Sequence, residues 1–112
     1  AHAYEFSSNG IWYKVLSEED RTVEVSHYRD RHGYYDHYQG DIAIPERVIS
    51  DGITYTVISI AKDAFKSCSV LKSVDISSTF LTFIGDETFS GCSSLTSVSV
   101  PASLTSIGTV RS

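Results

Sequence analysis

The residues best suited to contact a ligand lie together in one segment, residues 26–41, which holds three His, four Tyr, three Asp and two Arg. A tyrosine side chain offers a broad apolar body with a polar tip, and this combination suits contacts with proteins and with sugars. The candidate contact residues are His27, Tyr28, His32, Tyr34, Tyr35, His37 and Tyr38. The alternative is a solvated loop or protruding hairpin whose tyrosines cover the neighbouring part of the fold.

Neither a metal site nor a catalytic centre is indicated by this segment or by the rest of the chain. The histidines at 27, 32 and 37 recur every five residues, which fits neither one face of a strand nor an i, i+4 helix pair. The many serines lack a partner base, because no His follows His37 and no Gly-x-Ser-x-Gly motif is present. We therefore predict a protein without catalytic residues, without metal ligands and without a cofactor.

Trp12 is the only tryptophan, and it lies between Ile11 and Tyr13. It could form a platform on which a sugar ring stacks, but a lone tryptophan in such an apolar run more often belongs to a core or an interface.

Composition describes one acidic domain of 112 residues with 41% apolar residues and a net charge of −5. The acidic balance argues against a nucleic-acid partner, which would require a basic surface. No run of apolar residues is long enough for a membrane span. The sequence contains no Met, so we expect that Ala1 is a processed or trimmed end and not an initiating residue, and no signal-like segment is seen at the start.

A repeat dominates the second half of the chain. The pattern Ile60-x-x-x-Ala64-Phe65-x-x-Cys68-x-x-Leu71-x-x-Val74-x-Ile76 returns 24 positions later as Ile84-x-x-x-Thr88-Phe89-x-x-Cys92-x-x-Leu95-x-x-Val98-x-Val100. A period of this length with apolar residues at fixed phases is typical of a leucine-rich-type solenoid, whose units bury their apolar residues only by stacking.

The repeat predicts which side chains point inward and which stack. The inward positions are Phe65, Cys68, Leu71, Val74, Ile76, Phe89, Cys92, Leu95, Val98 and Val100. Phe65 and Phe89 should lie one above the other. Cys68 and Cys92 share one phase, and the Cβ separation expected between stacked strands exceeds that of a disulfide, so we predict free thiols.

The first half has different chemistry, since it contains every Tyr and the only Trp. Alternating residues around an Asn9-Gly10 turn predict three strands, near residues 4–6, 11–16 and 21–26. A terminal coil needs a cover for its apolar residues. We therefore predict a mainly β protein with two parts: an N-terminal β-meander cap with the Tyr/His-rich loop (residues 1–41), and a leucine-rich-repeat-type solenoid with short helical turns (residues 42–112).

The repeat resembles the BspA-type leucine-rich repeats of bacterial surface proteins, whose unit is similar to Ile84-Gly85 through Thr88-Phe89, Cys92, Leu95, Val98 and Val100-Pro101. The resemblance covers residues 42–108, and departures include Ala61 where Gly is usual and an extra residue within 77–80. It implies a secreted or cell-surface module that binds or adheres to proteins of a host or a neighbouring cell. The alternatives are a carbohydrate-binding module that uses the Tyr-rich loop, and a structural cap or spacer of a longer repeat array.

A third coil begins at Leu104 and ends without the Phe and Cys that should follow. The apolar column of the second coil then lacks an obvious cover, and uncovered strand edges pair readily with other chains. Either further repeats belong after this coil, or two copies pack through their C-terminal ends. We favour missing repeats and expect self-association through this open C-terminal coil as the consequence.

Overall fold

The computed structural model describes residues 5–27, 38–77, 79–104 and 106–107. This part of the chain contains ten strands and no helix, so the predicted mainly β architecture is confirmed. The strands are β1 (Glu5–Ser8), β2 (Ile11–Ser17), β3 (Thr22–Val25), β4 (Gly40–Ala43), β5 (Arg47–Ser50), β6 (Ile53–Ile60), β7 (Leu71–Asp75), β8 (Phe83–Ile84), β9 (Ser97–Ser99) and β10 (Ser106–Ile107).

The described strands form two sheets. The large sheet has the order β1-β2-β3-β6-β8-β10, with β5 paired to β6, and the small sheet has the order β4-β7-β9. Apolar side chains from both sheets form one buried cluster that includes Tyr13, Val57, Leu71 and Ile84.

Strands β1, β2 and β3 form the predicted antiparallel meander. Asn9 and Gly10 both have positive φ, at 52° and 81°, as a two-residue type I′ hairpin turn requires. Along β2 the side chains alternate, so that Ile11, Tyr13 and Val15 are buried.

The meander joins the solenoid through its strand edge. β3 pairs in parallel with β6, where Val23 lies opposite Val57 and Val25 opposite Ile60. The cap therefore extends the sheet of the solenoid, and its first strands and the coils share one hydrogen-bonded surface.

Successive coils stack so that residues at equivalent positions of the repeat lie opposite each other. In the small sheet Ile42 lies opposite Val74, and Val74 lies opposite Val98. In the large sheet Ile60 lies opposite Ile84. Ile42, Val74 and Val98 thus occupy equivalent positions in stacked strands.

The segments predicted as helical turns are consecutive tight turns. Backbone N–H groups bond three residues back, as from Ala64 to the Ala61 carbonyl and from Cys68 to the Phe65 carbonyl, at 3.1 Å each. Asp63 and Ser67 have positive φ, which interrupts any continuous helix. Glu87 and Gly91 repeat these two conformations 24 residues later.

Gly85 lies at a close approach between coils. A Cβ at this position would lie 2.5 Å from the backbone N of Lys62, which no side chain could accommodate without movement. The equivalent residue in the preceding coil is Ala61, whose N–H bonds the Val25 carbonyl of the cap at 2.8 Å. Ala61 thus lies next to the end of strand β3, whereas Gly85 lies next to the turn of the preceding coil, and a side chain is accommodated only at Ala61.

The inward positions differ between the two coils. Phe65, Cys68, Leu71, Val74 and Ile76 are at most 2% exposed. Their counterparts in the next coil are only partly buried, and Val100 is 47% exposed. The prediction that Val100 lies in the core is wrong for this structure, because each column is covered by the coil that follows and Val100 belongs to the last coil described.

Candidate binding surfaces

Tyr38 is a core residue and not a ligand contact, which corrects the sequence-based prediction. Its side chain is 3% exposed. Its hydroxyl donates to the Ser26 carbonyl at 2.7 Å and accepts from the Trp12 backbone N–H at 3.0 Å. Its ring meets Phe65 edge to face, with centroids 5.2 Å apart. Tyr38 therefore begins the aromatic column that continues through Phe65 to Phe89, whose rings stack at 5.6 Å and 5°.

The same contacts join two residues of the Tyr/His-rich segment that are 12 positions apart. Ser26 is its first residue and Tyr38 lies near its end, and the hydrogen bond between them holds these two residues together. His27 is half-buried and has an interaction partner in the fold. The other candidate contacts, Tyr28, His32, Tyr34, Tyr35 and His37, lie outside the described residues.

The outward face of the small sheet carries short polar side chains in two rows. Asp41, Ser73 and Ser97 form one row, and Ala43, Asp75 and Ser99 form the other. The Ser73 hydroxyl donates to Asp41 at 2.7 Å. Hydrogen bonds from the Ser77 hydroxyl and N–H hold the pKa of Asp75 below its usual range. The outward face of the small sheet is therefore mostly polar, and its side chains are short.

Apolar side chains, in contrast, are exposed at and just before strand β8 of the large sheet. Phe83 in β8 is 45% exposed, Phe80 before the strand is 51% exposed, and the Arg47 guanidinium lies 5.7 Å from the centre of the Phe80 ring. This is within the range of a cation–π contact. On the same sheet Glu24 faces Lys14, and partial burial raises the pKa of the Glu24 carboxyl.

A groove of about 280 Å³ opens at the N-terminal edge of the molecule. One wall is the hairpin turn at Asn9-Gly10, the other is strand β4 with Pro45 behind it, and Ile11 and Tyr13 contribute to the lining. Among the described residues of the lining, Asp41 alone is charged.

Partial or full burial disfavours the ionised forms of two side chains in the described residues, Cys92 and Tyr13. Burial raises the pKa of the Cys92 thiol, which donates to the Phe65 carbonyl at 3.0 Å, and a thiol with a raised pKa is a poor nucleophile at neutral pH. Both Cys68 and Cys92 are free thiols. Burial also raises the pKa of the Tyr13 hydroxyl, which has no hydrogen-bond partner.

Within the described residues, no group of three or more His, Cys, Asp or Glu side chains is placed to hold a metal ion. The same residues contain no helix long and apolar enough to cross a bilayer.

Sequence reasoning missed three of these features. The burial of Tyr38 has no local signal, because Tyr38 belongs to the same polar, aromatic segment as the other candidate contacts. Exposed Phe80 lies where the extra residue interrupts the repeat, which is the one available hint. The groove depends on β4 and the β1–β2 turn, which are distant in sequence.

Comparisons with known proteins agree with this geometry. A family model described as the BspA type leucine-rich repeat region matches residues 44–110, in six copies. A leucine-rich repeat protein from Bacteroides ovatus has a similar structure, with a TM-score of 0.73 and 30% identity over 90% of this chain and 24% of its own. One from Bacteroides capillosus has a TM-score of 0.71 and 23% identity over 92% of this chain and 70% of its own.

A leucine-rich cell surface protein from Faecalibacterium prausnitzii has a TM-score of 0.59 and 19% identity, over 96% of this chain and 33% of its own. No curated protein matches the chain. The chain spans about a quarter of the length of the Bacteroides ovatus protein. Because the family model covers more than half of the 112 residues, the chain belongs to the BspA-type leucine-rich repeat proteins.

Proposed function

We propose that this chain is a non-enzymatic binding module, secreted or held at the cell surface, that engages proteins of a host or a neighbouring cell. Membership of a repeat family supports a binding role, since stacked repeats build extended surfaces. The similarity to a leucine-rich cell surface protein supports the location.

The observation that carries the proposal is the anchoring of the Tyr/His-rich segment by Tyr38. Ser26 and Tyr38 precede and follow residues 28–37 in the sequence, and a 2.7 Å hydrogen bond joins them. A segment whose ends are held together loses less conformational entropy on binding than a free chain does. Residues 28–37 are thus the proposed contacts, and Tyr38 is proposed to support them from the core.

The outward face of the small sheet is the second proposed contact surface. Its side chains are short and polar, and Ser97 and Ser99 are exposed on β9. A partner backbone could approach closely over such a face. Larger side chains introduced there would obstruct a partner without disturbing the core.

The experiment compares the wild-type chain with two variants on an array of extracellular-matrix proteins and on a glycan array. One variant combines Tyr28→Ala, Tyr34→Ala and Tyr35→Ala, and the other combines Ser97→Arg and Ser99→Arg. The first should lose binding to a protein partner if the segment makes the contact, and the second if the small sheet makes it. Unchanged circular dichroism and melting temperature serve as the control for folding.

The alternatives give different results. Glycan binding that the tyrosine variant abolishes, with no protein partner, would establish a carbohydrate-binding module in its place. An absence of hits on both arrays would favour a cap or spacer of a longer repeat array. The expected self-association through the last coil stays a prediction, which light scattering of the chain at micromolar concentration checks.

A further inference from the structure

Strand β4 is an open edge beside the N-terminal groove. Among the described strands β4 pairs only with β7, and it forms the end of the small sheet. The Gly40 N–H bonds the Val70 carbonyl and the Ile44 N–H bonds the Asp75 carbonyl. Because successive residues of a strand alternate in the edge to which their N–H and C=O groups point, Asp41 and Ala43 direct theirs to the unpaired edge.

The groove lies along this edge. Residues 41–43 form one of its walls, and Ile11 and Tyr13 contribute apolar surface between the sheets. Ile42 is half-buried and packs against the core, whereas the side chains of Asp41 and Ala43 are exposed on the outward face. The edge thus offers unpaired backbone groups with a cavity on one face and a carboxylate on the other.

We propose that β4 captures an extended segment of a partner protein, which adds to the small sheet as a further strand. Strand addition combines main-chain hydrogen bonds with pockets for alternate side chains. The N–H and C=O groups of Asp41 and Ala43 bond the added segment. Its inward side chain is apolar and enters the groove near Ile42, and the outward side chain next along it is basic and lies beside Asp41.

The charge of Asp41 and the volume of the groove indicate which side chains the added segment carries. Asp41 is the one charged residue among the described residues that line the groove, and Ser73 occupies only its Oδ1 oxygen, at 2.7 Å. A basic side chain on the adjacent strand would be a favourable cross-strand neighbour of that carboxylate. A volume of about 280 Å³ is large enough to accommodate an apolar side chain. The proposed contacts are strand β4 and the described lining of the groove, so they do not depend on the role proposed for residues 28–37.

The test begins with a phage-displayed library of short random peptides that is selected on the folded, immobilised chain. Enrichment is measured relative to a parallel selection on a surface without protein. Enriched peptides are then synthesised, and their affinity is measured by fluorescence polarisation. Selected sequences should share a basic residue adjacent to an apolar one. Ala43→Pro removes the N–H at the open edge and leaves the bonds to β7, so it should weaken binding by about tenfold or more. Ala43→Ser keeps that N–H and should change affinity by less than about twofold.

A second measurement does not depend on the folding of any variant. Methylation of the peptide's backbone nitrogens, one at a time, should abolish binding at alternate residues only, because alternate N–H groups point toward β4. The combined Tyr28→Ala, Tyr34→Ala and Tyr35→Ala variant should bind the peptides as the wild type does. A library without enriched sequences, equal affinity for Ala43→Pro, or methylation effects without alternation would each overturn the proposal.

Discussion

Replacing Phe65 is the sharpest test of how the coils are held together. Its side chain is 0% exposed and lies between Tyr38, with ring centroids 5.2 Å apart, and Phe89, at 5.6 Å. Phe65→Ala should cost about 3–5 kcal/mol of unfolding free energy, as expected for a fully buried aromatic residue whose cavity collapses only in part. Phe89 is half-buried, so Phe89→Ala should cost about 1.5–2.5 kcal/mol, roughly half of that amount.

The assay is urea denaturation followed by far-ultraviolet circular dichroism. Domains of this size are stable by about 5–15 kcal/mol, so Phe65→Ala could leave too little folded protein to measure. Phe65→Leu avoids this problem, because it keeps most of the volume and loses mainly the two aromatic contacts, at about 1–2 kcal/mol in total. The order of stability should be wild type, then Phe65→Leu, with Phe65→Ala lowest.

Two results would refute this reasoning. A loss below about 1 kcal/mol for Phe65→Ala would mean that the column is not a core feature. A larger loss for Phe89→Ala than for Phe65→Ala would mean that Phe89 is the more deeply buried ring. Comparison requires similar denaturant slopes for all variants, since a changed slope signals that unfolding is no longer the same transition.

Three further outcomes follow from individual contacts. Tyr38→Phe removes the hydroxyl that bonds the Ser26 carbonyl and the Trp12 N–H, and it should lower the unfolding free energy in urea by about 1–3 kcal/mol. Tyr13→Phe removes a buried hydroxyl that has no partner, and it should change the unfolding free energy in the same assay by less than about 1 kcal/mol. Gly85→Ala should cost about 1–3 kcal/mol in the same assay, because the new Cβ meets the backbone of the preceding coil; a neutral effect would contradict the close approach. Thiol titration without reductant should find Cys68 and Cys92 free after denaturation, and alkylation of Cys92 in the native protein should be slow at neutral pH, because burial raises its pKa.

Local patterns in the sequence were sufficient to predict the repeating part of the fold. The 24-residue period places Val74 beside Val98 and Ile60 beside Ile84, as the strand registers show. The Asn9-Gly10 turn was also predictable, since its conformation is set by the two residues themselves.

The interactions that sequence reasoning missed are long-range ones. The parallel pairing of β3 with β6 joins residues 22–25 to residues 56–60, and nothing in either strand identifies the other as its neighbour. Tyr38 is predicted as a ligand contact because it lies in the same polar, aromatic segment as Tyr34 and Tyr35, and the sequence does not distinguish it from them. Only the positions of Phe65 and Ser26 in space identify Tyr38 as a structural tyrosine.

The position of Tyr38 couples the proposed binding segment to the stability of the solenoid. Its ring covers Phe65, and its hydroxyl bonds both Ser26 and Trp12, so the residue that ends the segment is also the first member of the aromatic column. A substitution at Tyr38 therefore removes the cover of Phe65 and the hydrogen bonds to Ser26 and Trp12 together. Loss of binding in a Tyr38 variant would accordingly report a loss of stability as much as a loss of contact. The combined Tyr28→Ala, Tyr34→Ala and Tyr35→Ala variant leaves Tyr38 itself unchanged, and for this reason it is the more direct test of the proposed contacts.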